Sequence, residues 1–593
     1  MDSSILRKKF LDFFEKRGHT IVPSSSLLPT DSSVLLTTAG VQQFTPYYLG
    51  EKSPFGPNVT SCQKCFRTTD IEEIGDEKHL TFFEMLGNFS FGGYFKEKAI
   101  SLALEFLTEV CKFKIEDLRF SYFKGDKNVP EDLETKKILL KLGIPEERIY
   151  GFSREDNFWG PAGLEGPCGP TAEIHYELRK GPCEKGEDCD PNCECGRFVE
   201  LWNLVFNEYN QDQDKKLIPL KQKGVDTGLG LERVVMVCQE KPSVFETDLF
   251  EPIIKEIEKL TRNVLVNIDL LKAKRIITDH IKGSVFLAAE GVLPSNVEQG
   301  YILRRILRRA IRFGKLLNLP KDFLIPLAQK VIKIYQDVYP EVKSKETDIL
   351  TVIQNEEEKF EKTLERGLKQ FEKISAKGNI SGIDAFHLYD TYGFPLELTE
   401  ELAKEKGISV DKKGFKFAFK KHQEISRAGV EKKFGGIGRE VGVEAIRLHT
   451  ATHLLHQALR EILGKHVKQM GSDITPQRLR FDFSHPEKLM VEHIKRVEDL
   501  VNQKIKEDLE VKKEEMLYQE AIDSGALAFF REKYPEKVIV YSIYNPSDPS
   551  GQVFSKEICA GPHVRKTGEL GSFKIIKEES AGAGARRIRA ILK

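Results

Sequence analysis

The sequence lacks any stretch approaching the ~20 uncharged apolar residues that a membrane-spanning helix needs. Its first residues, MDSSILRKKFLDFF, lack the apolar centre and the cleavage site of a secretory signal peptide. Internal repeats and low-complexity tracts are also missing. These absences argue against a membrane protein and against a repeat array, and they predict a cytoplasmic protein.

The chain has no excess of charge of either sign, because 91 basic residues balance 91 acidic ones. Any nucleic-acid site must therefore come from a local basic cluster and not from global attraction. The chain has 593 residues, a hydrophobic share of 40% and a charged share of 31%, which is typical of a globular protein. One hydrophobic core does not grow to this size, so we expect a multidomain α+β protein with roughly three to four domains.

The texture of the sequence changes along the chain. Residues 1–240 mix strand-like runs such as SVLLTTAG, HLTFFEM and VELWNLVF with many Gly and Pro residues, which predicts a loop-rich α+β domain. Residues 241–430 predict a mostly helical domain, with one long amphipathic helix from Lys345 to Ile374. A polar, glycine-bearing linker is predicted at 431–447, followed by a separate α/β domain at 448–593 that opens with the helix HTATHLLHQALREIL.

A candidate nucleotide site begins with VDTGLGLER, from Val225 to Arg233, where small residues allow a ligand to approach the backbone closely. A Gly-rich turn alone is a weak signal, and an ordinary strand-to-helix turn explains it equally well. Upstream, CFRTTDIEEIG and HLTFFEMLGNFSFGGYF predict two strands carrying Arg67 and Phe83. Arginines directed at phosphates and an aromatic face for adenine are what an adenylate-forming site requires.

These segments resemble motifs of class II aminoacyl-tRNA synthetases: Arg67 with Phe83 is similar to motif 2, and GLGLER is similar to motif 3. The strings FFEMLGNFSFG, NFWGPAGLEGPCGPTAEIHYE, LWNLVFNEYNQ and VDTGLGLER narrow the resemblance to alanyl-tRNA synthetases. The resemblance implies an antiparallel-sheet catalytic domain, a helical tRNA-recognition domain and an α/β zinc-binding editing domain. It also implies an alanine–tRNA ligase whose partners are L-alanine, ATP with Mg²⁺, and tRNA(Ala).

The resemblance further implies roles at the nucleotide. Arg67 would hold the α-phosphate, and Phe83 would stack on adenine. Arg233 would close the other face of adenine and reach the γ-phosphate, while Glu84 would receive the adenine amino group. Arg67 and Arg233, together with Asp226, are the expected catalytic residues.

A second set of residues would bind alanine. Trp159, Asn203 and Val205 would wall a methyl-sized pocket together with Gly228, and Asp226 would bind the ammonium group as a charge-assisted pair. Taken singly, Trp159 and Val205 are more typical of ordinary core residues than of a binding pocket. Their occurrence inside three matching motifs favours the pocket.

A basic helix is predicted within SNVEQGYILRRILRRAIRFGK, where Arg304, Arg308 and Arg312 recur at intervals of four. The stretch from Arg304 to Lys315 contains no Asp or Glu, so pairing within it cannot neutralise this face. We expect Arg304 and Arg308 to contact RNA phosphates. A helix face paired with acids from elsewhere is the alternative.

The resemblance implies that the middle domain recognises a G·U pair in the acceptor stem of the tRNA. The asparagine of its PSN element corresponds to Asn296. The second reader would be an acid within YDTYGFPLELT, with Asp390 as first choice and Glu397 as the alternate. An amide and a carboxylate suit the RNA minor groove, which side chains can reach.

A metal-ligand pattern occurs near the C-terminal end. His449 and His453 lie four residues apart on one helix face, and Cys559 and His563 repeat that spacing. Three imidazoles and one thiolate form a tetrahedral zinc set, although isolated histidine pairs are more often surface or core residues. Thr450 follows His449, so this is not the HExxH motif of a metalloprotease.

The pattern resembles the editing domain that alanyl and threonyl synthetases share, which implies zinc-dependent hydrolysis of Ser-tRNA or Gly-tRNA. Thr452 and Gln469 are the polar neighbours expected to position substrate and water. Two departures from the family stand out: the β-barrel segment with its AEGGGQ-like run is missing, and the sequence ends at Lys593 without the usual C-terminal domain. We therefore expect a truncated form that is monomeric and edits less well.

A second cysteine cluster lies in CEKGEDCDPNCEC. Its four cysteines are close enough in sequence to surround one zinc ion, and free reduced thiols are the alternative; they are Cys183, Cys189, Cys193 and Cys195.

Two other functions remain open from the sequence. A threonyl-type synthetase would need zinc ligands in the catalytic pocket and a C-terminal anticodon-binding domain, and neither is apparent. A non-catalytic tRNA-binding paralogue is disfavoured because Arg67, Asp226 and Arg233 are all present.

Overall fold

The structure, a computed structural model, describes residues 1–31, 33–69, 71–179, 181, 183–186, 189–261, 269–422, 442–528, 537–548, 553–582 and 585–593. The chain divides into two compact units, Met1–Asp411 and Lys412–Lys593.

The first unit is built around one large sheet. Its strands are β1 Thr20–Ile21, β2 Asn58–Phe66, β3 Phe82–Phe91, β4 Leu118–Phe123, β5 Ile149–Phe152, β6 Phe158–Trp159, β7 Gly166–Glu177, β8 Phe198–Gln211 and β9 Leu217–Gly230. The strand order is β1-β2-β3-β9-β8-β7-β4-β5, with β6 paired to β7. Only the outer pairs β1–β2 and β4–β5 are parallel among these described strands, so the predicted antiparallel catalytic sheet is confirmed.

Helices surround this sheet and then form an all-helical segment. They are α1 Ser3–Glu15, α2 Thr45–Tyr48, α3 Lys96–Glu105, α4 Leu133–Lys141, α5 Arg154–Asn157, α6 Leu231–Cys238, α7 Glu251–Leu260, α8 Leu270–Ala289, α9 Glu298–Leu316, α10 Leu324–Tyr335, α11 Pro340–Ser344, α12 Glu346–Ser375, α13 Gly382–Tyr392 and α14 Leu396–Glu405. Helix α12 matches the long helix predicted from its apolar spacing, and Ile349, Ile353 and Phe360 are buried along it.

Helix α8 covers the back of the sheet. The ring of Phe286 stacks on Phe82 of β3, with ring centroids 3.8 Å apart. Because side chains alternate across a strand, Phe83 and Met85 must then face the other side. This alternation decides which residues of β3 can reach the candidate site.

The second unit has two small sheets packed with helices. Its strands are β10 Gln469–Thr475, β11 Arg478–Ser484, β12 Glu510–Leu517, β13 Lys537–Tyr544, β14 Val553–Ile558, β15 Phe573–Gly582 and β16 Ala585–Leu592, and its helices are α15 Val443–Leu463, α16 Val491–Lys506 and α17 Tyr518–Asp523. One sheet has the order β10-β11-β16-β15 and the other β12-β13-β14. Leu479, Phe481 and Phe483 of β11 point into the core shared with α15 and α16. The predicted α/β architecture of this part is confirmed.

Two local predictions are corrected. The run SVLLTTAG, predicted as a strand, lies outside every described strand; Leu36 and Ala39 are buried in a loop that ends in a short 3₁₀ helix. A short apolar run does not by itself distinguish a strand from another kind of buried segment. Of the predicted linker, residues 431–441 lie outside the described residues, whereas 443–447 belong to α15 because Ala445 and Leu448 pack into the core at helical spacing.

Candidate active site and metal-binding clusters

A cavity of about 290 Å³ opens on the face of the large sheet opposite α8. Strands β3, β7, β8 and β9 contribute to its walls, as do the start of α6 and the segment around β6. Eight of the nine residues predicted for ATP and alanine line it: Arg67, Phe83, Trp159, Asn203, Val205, Asp226, Gly228 and Arg233.

One part of the cavity carries the two arginines. The guanidinium carbon of Arg67 lies 5.1 Å from the ring centroid of Phe83, and its Nε donates to the carbonyl of Thr38 at 3.4 Å. Arg233 donates from Nη1 to the carboxylate of Glu200 at 2.9 Å and to its carbonyl at 3.0 Å. Both cations are therefore held in place before any anion arrives, as electrostatic stabilisation of a phosphoryl group requires.

The other part of the cavity is small and acidic. Asp226 lies opposite Val205 in the β8–β9 register, and Gly228 lies opposite Asn203. A Cβ at Gly228 would come within 2.9 Å of the sulfur of Met85, so a side chain there would collide with the pocket wall. Asp226 is only 5% exposed, and this burial raises the pKa of its carboxyl group to about 8. A bound cation would offset the cost of ionising that carboxyl group.

Several residues that line the cavity were not predicted from the sequence. The polar ones include Lys78, His79, Asp156, Glu173 and Glu200. Glu173 accepts a hydrogen bond from Nδ2 of Asn203 at 2.9 Å, and burial together with the charge of Glu200 raises its pKa well above the ordinary range. Glu173 and Glu200 lie on β7 and β8, within AEIHYE and VELWN, so the alternation of those strands was the available signal.

The predicted adenine contact of Glu84 is wrong. This carboxylate is fully buried on the opposite face of β3, where it accepts from Nε of Arg7 at 2.7 Å and from the hydroxyl of Tyr339 at 2.9 Å. Adjacent residues of a strand point to opposite faces, so Phe83 and Glu84 cannot both reach the nucleotide cavity.

The predicted cationic RNA face of α9 is also wrong for Arg308. Its side chain is buried and pairs with Glu356 of α12, with Nε 2.6 Å from Oε1. Arg312, the next residue of that face, is likewise buried and pairs with Glu405 of α14 at 2.6 Å. The acids that pair with these two arginines come from α12 and α14, so the absence of Asp and Glu between Arg304 and Lys315 was not informative.

The other residues predicted to contact tRNA have different surroundings. Arg304 is largely buried, donates to the side-chain oxygen of Asn296 and reaches the hydroxyl of Tyr389 at 3.4 Å. Asn296 and Asp390 are exposed, and Asp390 directly follows Tyr389. Glu397, the alternate acid, accepts from the hydroxyl of Tyr301 at 2.6 Å. Arg304 thus links the Asn296 loop to the helix that carries Asp390.

In the second unit, the predicted histidine–cysteine set comes together. One donor atom from each of His449, His453, Cys559 and His563 lies within 4.8 Å of the others. The Cys559 sulfur is 3.4 Å from Nε2 of His449 and 3.5 Å from Nε2 of His563. Nitrogen and sulfur ligands at the corners of a zinc tetrahedron lie about 3.5 Å apart, so the four donors fit that metal.

The remaining histidine nitrogens of this cluster all have partners. Nδ1 of His449 lies 3.1 Å from the carbonyl of Pro562, and Nδ1 of His563 lies 3.2 Å from the hydroxyl of Thr450. Nδ1 of His453 lies 2.9 Å from the carboxylate of Glu557, a buried residue that the sequence reasoning missed. Such contacts orient imidazole rings towards a metal. Burial opposes ionisation of Cys559, but hydrogen bonds from the three histidines lower its thiol pKa to about 3.

The two predicted editing residues contact other groups in this structure. The hydroxyl of Thr452 donates to the carbonyl of Leu448 at 2.9 Å, within α15. Nε2 of Gln469 donates to the hydroxyl of Ser472 at 3.2 Å. Their editing roles stay predictions.

Two family models match the chain. One, described as tRNA synthetases class II (A), matches residues 5–470. The other, described as threonyl and alanyl tRNA synthetase second additional domain, matches residues 538–589. The protein named alanine–tRNA ligase from Borrelia hermsii (strain HS1 / DAH) is 49% identical over 597 residues, covering 99% of both chains. The chain belongs to the alanine–tRNA ligase family of class II tRNA synthetases. The predicted resemblance is therefore confirmed.

Other members of the family differ in length. The Treponema pallidum (strain Nichols) protein is 46% identical over 600 residues, covering 99% of this chain and 98% of that one. The protein from Dehalococcoides mccartyi (strain ATCC BAA-2100 / JCM 16839 / KCTC 5957 / BAV1) is 40% identical over 707 residues, covering 99% of this chain but 80% of that one. Because this alignment is longer than the 593 residues of the chain, that relative carries segments with no counterpart here.

None of the helices in the described ranges is long and apolar enough to cross a membrane.

Proposed function

We propose that this chain activates alanine with ATP to form alanyl-adenylate and transfers the alanyl group to the 3′ end of tRNA(Ala). The observation that carries the proposal is one continuous cavity with a buried acid at one part and two fixed arginines at the other. Family membership supports the same conclusion and disfavours both a threonyl-type enzyme and a non-catalytic paralogue.

In the first step, an alanine carboxylate oxygen attacks the α-phosphorus of ATP, a mixed anhydride forms and pyrophosphate leaves. Arg67 is suited to hold the α-phosphate, because its guanidinium is fixed beside Phe83, which offers its ring to adenine. Arg233 is suited to the phosphate tail. Glu200, beside Arg233, offers carboxylate oxygens of the kind that Mg²⁺ bound to ATP prefers.

Asp226 recognises the amino acid in this proposal. Alanine brings an ammonium group to a carboxyl group that burial keeps protonated up to a pH of about 8, so binding drives a proton off Asp226. The resulting carboxylate fixes the amino end, and Asn203, Val205 and Gly228 leave space for a methyl group beside it. An amino acid with a side chain larger than that of alanine would collide with the wall that these residues form.

In the second step, a hydroxyl group at the 3′ end of the tRNA attacks the carbonyl carbon and AMP leaves. We propose that Asn296 and Asp390 read the acceptor-stem G·U pair from the minor groove. Their exposure and the Arg304 link between their segments support this assignment. Arg304 would then act by orienting Asn296 and not by binding phosphate.

The second unit is proposed to edit wrongly charged tRNA. His449, His453, Cys559 and His563 would hold zinc, which when bound supplies a Lewis acid for hydrolysis of Ser-tRNA(Ala) or Gly-tRNA(Ala). Glu557, Thr450 and the carbonyl of Pro562 fix the imidazole rings. Thr452 and Gln469 as substrate-positioning residues, the monomeric state and the cytoplasmic location remain our predictions.

The test of the whole reaction is aminoacylation by the full-length chain of tRNA(Ala) with labelled alanine and, separately, of tRNA(Thr) with labelled threonine. We expect charging with alanine only. Charging with threonine would favour the threonyl-type alternative, and charging with neither would favour the non-catalytic paralogue.

A further inference from the structure

The connection between β7 and β8 carries a cluster of thiols that the proposed chemistry does not use. Strand β7 ends at Glu177 and β8 begins at Phe198, and the four cysteines of CEKGEDCDPNCEC lie between them. Strand β7 also carries Glu173, and β8 carries Glu200 and Asn203, which line the candidate site. A group that fixes this connection would therefore also fix the end of β7 and the start of β8 in the active-site sheet.

The four sulfur atoms converge on one point. They all lie within 4.8 Å of one another, with Cys183 and Cys193 separated by 3.8 Å and Cys189 and Cys195 by 3.7 Å. Disulfide-bonded sulfurs are about 2.05 Å apart, so neither pair is a disulfide. Four thiolates at about 2.3 Å from one zinc ion lie about 3.8 Å apart at tetrahedral corners, which matches both pairs.

Apart from the thiols, the described part of the connection between β7 and β8 has almost no hydrophobic core. Of its described residues from 181 to 196, only Cys189, Pro191 and Cys193 are buried. The hydrophobic cluster at this point consists of Cys189, Cys193 and Phe198, with Cys183 packed against it. A segment that cannot bury enough apolar surface needs another source of order, and a bound metal ion supplies it in small folds.

Ionic contacts tie the cluster to the sheet. Arg197 donates to Glu177 at 2.6 Å and also contacts the sulfur of Cys189. Arg119 of β4 donates to the other oxygen of Glu177 at 2.7 Å. Four thiolates and one Zn²⁺ carry a net charge of about −2, and Arg197 provides a compensating cation beside them.

We propose that Cys183, Cys189, Cys193 and Cys195 form a second, structural zinc site that fixes the turn between β7 and β8. A tetrahedral set of four sulfurs selects zinc or iron over the hard cations Mg²⁺ and Ca²⁺. The distances between the sulfur atoms suit a single metal ion. Zinc is chosen over iron because a structural role needs no redox partner. All four ligand positions are protein thiolates, so the site has no open position for substrate and acts on structure alone.

The experiment counts zinc by mass spectrometry in full-length protein after gel filtration. Wild type should hold about two zinc ions per chain, one in each cluster. The Cys193→Ser, Cys195→Ser double variant should hold one and have a lower Tm. Cys559→Ser should also hold one, and the combination of all three substitutions should hold none. Cys238→Ser, outside both clusters, is the matched control and should hold two.

Double-variant protein that holds as much zinc as wild type, or Cys559→Ser protein that holds none, would overturn the proposal. So would iron in place of zinc. If the double variant does not fold, cobalt substitution of the Cys559→Ser protein decides, since this chain retains only the four-cysteine cluster. Visible absorption of tetrahedral cobalt thiolate is expected, and its absence contradicts the site. These readouts do not depend on activity, so they fail or succeed separately from the ligase assignment.

Discussion

Lys282 and Glu232 form a buried ion pair beneath the candidate active site, with Nζ 2.8 Å from Oε1. Glu232 immediately precedes Arg233, and its carboxylate also accepts the backbone N–H of Glu84 at 3.1 Å. That peptide adjoins Phe83. Helix α8 therefore supports both the arginine and the aromatic ring proposed to bind ATP.

Replacing Lys282 by Met should lower the free energy of unfolding by about 3–5 kcal/mol, because it leaves a buried carboxylate without its partner. It should also raise the KM for ATP. Lys274→Met is the matched control on the same helix, since Lys274 pairs with an exposed Glu258; its loss should be at most about 1 kcal/mol. Denaturant unfolding measures both, and equal losses would contradict the role of the pair.

Replacing Asp226 by Ala should abolish alanine activation while leaving ATP binding nearly unchanged. The ammonium group loses its proposed counter-charge in a small buried pocket, a loss of roughly 2 to 5 kcal/mol. Calorimetric titration with ATP and steady-state kinetics with alanine separate the two effects. An unchanged KM for alanine would remove Asp226 from the pocket.

The buried Asp226 carboxyl group also predicts pH dependence. Its folded-state pKa of about 8 lies above its ordinary value of 3.8, so its contribution to stability is complete below the ordinary value and is lost as pH rises through about 8. The KM for alanine should fall over the same rise, since binding needs the carboxylate. The free energy of unfolding of wild type minus that of Asp226→Asn, measured across pH, isolates the contribution of this carboxyl group. A difference that does not change with pH would refute the raised pKa of Asp226.

Replacing Asn296 by Ala should reduce tRNA charging about tenfold, the equivalent of one or two hydrogen bonds to RNA, without affecting adenylate formation. The comparison variant on the same domain is Arg308→Met. It should lower the free energy of unfolding, because Arg308 pairs with the buried Glu356. Charging of G·U and G·C minihelices is the measurement. Equal charging of both by wild type would contradict recognition of the wobble pair.

The sequence was most informative where chemistry constrains spacing. His449 and His453 had to share a helix face, and the GLGLER segment had to join a strand to a helix, as β9 and α6 do. Glu84 was placed wrongly although the alternation of β3 was available to exclude it. The wrong prediction for Arg308 could not have been avoided in the same way. Its partner Glu356 lies in another helix, and local composition cannot reveal such pairing. Glu557, the partner of His453, was hidden for the same reason.

The central claim, that the cavity activates alanine, is tested most directly by alanine-dependent exchange of pyrophosphate into ATP. Wild-type protein should support exchange with alanine far better than with threonine, and the Asp226→Ala variant should lose it. No exchange with alanine, or equal exchange with threonine, would contradict the account.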